Sequence, residues 1–197
     1  MDNDTNATQT LTETDSPGND DTLYSDWLTS AGSTIEITIN TIVWPTSLVE
    51  SFRKSAVLIL DDILSEFDNT TAIISLFLCD DAQMKQLNYQ HRQIDKPTNV
   101  LSFPAYDAGE HKIDRLVPVL IGDIVIAGET AVQEAHSMQI PVADHLLHLF
   151  VHGALHLFGY DHIDDDLAQA MEALEVKFLA NAGVPNPYQD VQMEIRN

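Results

Sequence analysis

The segment PVADHLLHLFVHGALHLFGYDH, residues 141–162, decides how the chain is read. Pro141 opens it, a run with helical apolar spacing follows to about Phe158, and Gly159 stops it. His152 and His156 are four residues apart, so a helix stacks them on one face, one turn above the other. A left-handed turn at Gly159 would bring the chain back and deliver His162 to the same point. Three neutral imidazoles suit zinc, with metal–nitrogen distances of about 2.0–2.1 Å, though nickel, copper and iron also accept them. Three protein ligands leave a tetrahedral ion one open position, as catalytic sites do, and water held there is acidified to a pKa of about 7.

Zinc peptidases with the pattern HExxH carry a general-base glutamate right after the first histidine. Here that position is Gly153, so the base is missing and peptide hydrolysis by that route is disfavoured. His148 and His145 lie one and two turns earlier on about the same face. They read as satisfied helix histidines, with a supporting or substrate-contacting role as the alternative. Asp161 abuts the third histidine, where it could orient a ligand or accept a proton, and Asp164–Asp166 reads as the cap of a last helix.

Outward from this segment, strands come first and helices dominate the end. TIEITINTIVW (34–44) alternates as a half-buried strand does, and Pro45 ends it. Ser47 and Glu50 form a capping-box signature before an amphipathic helix to about Phe67. AIISLFLC (72–79) reads as a central strand, and Asp80-Asp81 opens a helix to about Gln90. NVLSFPAY (99–106) and LVPVLIGDIVIA (116–127) read as strands, with a turn at Asp107–Gly109 between them. Helices follow over 129–138, 142–158 and 165–181. The expected fold is α+β: a single domain with a small mixed β-sheet packed by helices, and the zinc site on a C-terminal helix and the loop after it.

The chain has 197 residues, nine Lys and Arg against 31 Asp and Glu, and a net charge of −22. No basic residue precedes Arg53, and residues 1–32 are polar and acidic, so they read as a disordered tail. An apolar knot there, Leu23-Tyr24 and Trp27-Leu28, reads as a collapsed turn. The domain is expected over 33–190, with a short tail over 191–197. No apolar run spans a membrane, and the N-terminus has no signal-peptide pattern, so the reading is cytoplasmic. Cys79, the single cysteine, reads as a buried small hydrophobe. A surface so acidic repels polyanions, so any nucleic acid must be met by a partner, a bound cation or a local basic spot.

Such a spot is available in LNYQHRQIDKPTNVLSFP (87–104), which holds Arg92 and Lys96. A guanidinium grips phosphate through two parallel hydrogen bonds. Read from residue chemistry alone, Arg92 could equally be a helix-end arginine bonded to its own carbonyls. With this stretch, HGALHLFGYDH and IGDIVIA (121–127), the chain resembles the YbeY family of bacterial metallo-endoribonucleases over about residues 40–188. The resemblance implies one zinc ion on His152, His156 and His162, a functional arginine at Arg92, and a functional aspartate at Asp123. It implies cleavage of single-stranded RNA in the 3′ maturation of small-subunit ribosomal RNA and in ribosome quality control. The partners it implies are single-stranded or ribosomal RNA together with ribosomal proteins or assembly factors, with no membrane and no DNA. The rival readings are a ribosome-binding assembly module with a structural zinc, and a zinc metallopeptidase.

Overall fold

The computed structural model describes residues 22–41, 43–67, 71–106, 118–162 and 164–189. The turn expected at Asp107–Gly109, the segment 1–21 and the tail 191–197 lie outside them. The described residues form five strands and five helices: β1 Leu23–Leu28, β2 Thr34–Asn40, α1 Thr46–Glu66, β3 Ala72–Cys79, α2 Asp81–Arg92, β4 Val100–Pro104, β5 Val119–Ala127, α3 Gly128–Met138, α4 Val142–Leu157 and α5 Asp165–Asn181. The sheet is mixed, in the order β1-β2-β3-β5-β4. Its centre, β2-β3-β5, is parallel, and an antiparallel strand closes each edge. The α+β architecture is the one expected.

Alternation sets the two faces of the sheet. Ile35, Ile37 and Ile39 of β2, and Ile74, Leu76 and Leu78 of β3, are buried in the main core with residues of α1, α4 and α5. On the opposite face α2 covers a smaller cluster through Met84, against Cys79, Leu101 and Val125. Cys79 is buried as expected, and burial, helped by Asp80, pushes its thiol up to about 12. α4 is apolar almost all round because it runs through the middle of the main core. Its Phe150 meets Phe52 of α1 edge-on, and Phe52 meets Trp27 of β1.

Three local expectations change. Leu23–Leu28, read as part of the tail and as a collapsed turn, is an edge strand paired with β2. Its local composition is too polar to signal a strand, but the free edge of β2 and a pocket for Trp27, 4% exposed, supply what the segment lacks. The capping box at Ser47 and Glu50 does not form: α1 begins at Thr46 behind Pro45 without a side-chain cap, and Glu50 pairs with Arg53 at 3.1 Å. β2 ends at Asn40, short of Trp44. The aspartate caps do form, Asp80 accepting from the Gln83 amide at 2.7 Å and Asp164 from that of Leu167 at 2.9 Å.

Candidate metal centre

The end of α4 builds the site. After Phe158 the Gly159 amide donates to the His156 carbonyl at 3.0 Å and the Tyr160 amide to the Leu155 carbonyl at 3.1 Å. This paired closure needs a left-handed residue, and Gly159 supplies it at φ +85°. Phe158 and Tyr160 both pack on Phe67, which fixes the path of the returning loop. The Asp161 carboxylate then accepts from the His162 amide at 2.7 Å. The result is the cluster the spacing predicts: His152, His156 and His162 bring ring nitrogens within 4.8 Å of one another.

The protonation pattern suits a cation. His152 donates from Nδ1 to Glu175 at 2.8 Å, which leaves the Nε2 lone pair facing the cluster. Burial holds the His156 pKa below its usual value, the neighbouring His152 adds to that, and the ring is hydrogen-bonded to the Tyr160 backbone. The two Nε2 atoms stand 3.1 Å apart. Two ligands of a tetrahedral zinc at about 2.0–2.1 Å would be separated by about 3.3 Å, so the spacing fits. The three imidazoles form a site able to hold zinc, on a C-terminal helix and the loop after it.

Gly153 explains itself structurally. It is buried against β5 and β4, where an added Cβ would lie 2.9 Å from Ile124 Cγ2 and 3.1 Å from Ser102 Oγ. A glutamate has no room there. The missing side chain lets α4 press onto the sheet, which brings its two histidines beside β4.

The cluster opens into a cleft of about 520 Å³, whose walls include Arg92, Asn99, Ser102 and Tyr160. Arg92 is the last residue of α2, which Gln93 ends in a left-handed conformation at φ +60°. Asn88 Nδ2 donates to the Lys96 carbonyl at 2.8 Å and ties down the segment that follows. Arg92 is exposed, makes no ion pair or side-chain hydrogen bond with any described residue, and lines the cleft. Lys96 is not among the residues that line it.

Asp123 is not brought to the cleft. Val100, Ser102 and Pro104 of β4 line it, and they pair with Ile126, Ile124 and Gly122 of β5. Asp123 falls between them, opposite Phe103, so alternation turns it to the other face of the sheet. His145 hydrogen-bonds Glu134 at 2.9 Å, away from the cluster, and Glu134 also accepts from Asn99 at 3.1 Å.

Glu175 escaped the sequence reading. It is 1% exposed on α5 and gathers three side chains, His148 at 2.9 Å, His152, and the Tyr188 hydroxyl. Burial would raise its pKa, but hydrogen bonds from His148, His152 and Tyr188 outweigh that and hold it at about 2. The signal was present: Glu175 lies four residues after Met171 and three before Phe178, at a position of the buried stripe where an apolar residue is expected.

A three-histidine cation site in a cleft that an arginine also lines suits the class of metal-dependent hydrolases. The chain belongs to the YbeY family: the family model described as Endoribonuclease YbeY matches residues 40–183. A relative named Endoribonuclease YbeY from Sinorhizobium medicae is 42% identical over 163 residues, covering 80% of this chain and 95% of its own. Another, from a Bradyrhizobium species, is 53% identical over 119 residues, covering 60% and 70%. A solution structure from Thermotoga maritima is similar with a TM-score of 0.49 and 24% identity, over 82% of this chain and 99% of that one. The family assignment rests on the sequence matches.

Proposed function

We propose that the protein is a zinc-dependent endoribonuclease that cleaves single-stranded RNA and acts in the 3′ maturation of small-subunit ribosomal RNA and in ribosome quality control. The observation that carries this reading is the shared cleft of the three histidines and of Arg92, which has no side-chain partner among the described residues. Zinc supplies Lewis acidity toward a phosphoryl oxygen or a water molecule. The protein's own part is to hold and charge-balance the substrate. Arg92 can donate two parallel hydrogen bonds to a scissile phosphate and offset charge that builds on its oxygens in the transition state. Ser102 offers a hydroxyl to the same cleft, and Asp161 stands beside His162 as a carboxylate able to take up a proton.

Position 153, where a peptidase of the HExxH kind keeps its base, is filled by the sheet. That weighs against peptide hydrolysis. We assign Asp123 no contact with the reacting phosphate. The domain is proposed to begin at Leu23 rather than at residue 33, since β1 completes the sheet. No helix among the described residues is long and apolar enough to cross a membrane, and the cytoplasm is the proposed location. Ribosomal proteins or assembly factors are the proposed partners, since one arginine at the cleft of a chain of net charge −22 gives RNA little to hold.

The test compares wild type, Arg92→Ala and His156→Ala on a single-stranded RNA and on an unstructured peptide, with mapping of product ends. Zinc-dependent RNA cleavage lost in both variants supports the reading. Metal-dependent cleavage of the peptide alone overturns it, as does undiminished RNA processing by a folded His156→Ala protein.

A further inference from the structure

We propose that Glu175 is a positioning residue of the metal centre, and that Tyr188 and His148 clamp it in place. The inference rests on reading the three histidines as zinc ligands. The carboxylate divides its work. Oε1 accepts from His152 Nδ1 at 2.8 Å, while Oε2 accepts from His148 Nε2 at 2.9 Å and from the Tyr188 hydroxyl. With Nδ1 committed as a donor, His152 keeps its lone pair on Nε2, the atom that stands 3.1 Å from His156 Nε2. A carboxylate behind a ligating imidazole fixes the tautomer, prevents rotation of the ring and makes the ligand more basic.

Tyr188 comes from outside the helices. The chain leaves α5 through Pro185, Asn186 and Pro187, and the Tyr188 amide donates to Asn186 Oδ1 at 2.8 Å. That turn aims the phenol back at α5, where it bonds Glu175 and contacts the His148 ring edge-on. The segment after the last helix is thereby tied to the back of a metal ligand. A purely structural role explains this poorly. Joining α5 to α4 needs only apolar side chains, and replacing a buried ionic group by well-packed apolar ones is often neutral or stabilising. Three donors gathered on a carboxylate 1% exposed, one of them a ligand's rear nitrogen, serve the ligand.

The test measures zinc affinity by chelator competition, with urea unfolding of the metal-free proteins alongside. The variants are Glu175→Gln, Tyr188→Phe and, as a control, His156→Ala. Glu175→Gln should weaken zinc binding about 10–100-fold, and Tyr188→Phe by a smaller factor. Nitrogen shifts of His152 in the metal-free protein should show the Nδ1–H form in wild type and a mixture of tautomers in Glu175→Gln. Wild-type zinc affinity in both Glu175→Gln and Tyr188→Phe overturns the inference, as does loss of stability alone. Should Glu175→Gln fail to fold, Tyr188→Phe decides, since it keeps the carboxylate. If His156→Ala binds zinc like wild type, the ligand assignment itself has failed, which is a separate result.

Discussion

Gly153 of α4 presses on Ile124 of β5 so closely that a Cβ would stop 2.9 Å from the Ile124 γ2 methyl. That methyl is on the stiff branch of a fully buried side chain and cannot swing away. Overpacking costs about 1–3 kcal/mol, against which alanine regains up to about 1 kcal/mol in a helix. With the full offset Gly153→Ala should therefore lose up to about 2 kcal/mol in urea unfolding, and Gly153→Glu should fail to fold rather than gain peptidase activity. A stable, folded Gly153→Glu protein would show that the helix does not need this contact.

Arg92 is exposed and has no side-chain partner among the described residues, so its loss should spare the fold. Arg92→Ala is expected to lower RNA cleavage by about 100-fold or more with unchanged zinc content and circular dichroism, and Arg92→Lys to recover part of it. Asp123→Asn, on the other face of the sheet, should cleave purified RNA at close to the wild-type rate. Equal losses in Arg92→Ala and Asp123→Asn would mean that the substrate path reaches both faces.

Salt dependence reads the size of the cationic footprint. With one arginine and one zinc site at the cleft, about one to three phosphates should be neutralised, so the plot of log affinity against log salt should have a shallow slope. Filter binding of a cleavage-resistant single strand over a range of salt concentrations measures it. Tight binding with a steep slope would place the RNA on a larger basic surface than the described residues provide.

Acid should unfold the metal-free protein partly through His145. Burial lowers its pKa from 6.5, with the nearby His148 acting in the same direction and Glu134 opposing. The unfolded chain therefore binds the extra proton first. The stability that His145 contributes is complete above about pH 6.5 and is lost as pH falls below it. Urea midpoints between pH 8 and pH 5 should drop less in His145→Gln than in wild type, and identical profiles would remove His145 from the explanation.

The strands and helices of the core were legible because each rests on a local period, as in the alternating Ile35, Ile37 and Ile39 or the stripe of α1. The three ligands were legible because helix spacing and one glycine place them without help from distant chain. β1 was not, because Trp27 finds its pocket only once α1 and α4 are packed. Glu175 left one trace, its place in the apolar stripe of α5, but its partners gather only once α5 lies against α4. Asp123 shows the converse: the motif around it is easily seen, but which face a strand residue takes depends on register with its neighbours.

The central claim is that three imidazoles hold one zinc and leave a place for substrate. X-ray absorption of the protein loaded with one equivalent of zinc tests this directly. The expected shell is three histidine nitrogens at about 2.0–2.1 Å and one oxygen donor that phosphate or a short RNA displaces. A shell with fewer than three imidazoles, or with a fourth protein ligand that RNA cannot displace, would contradict the account.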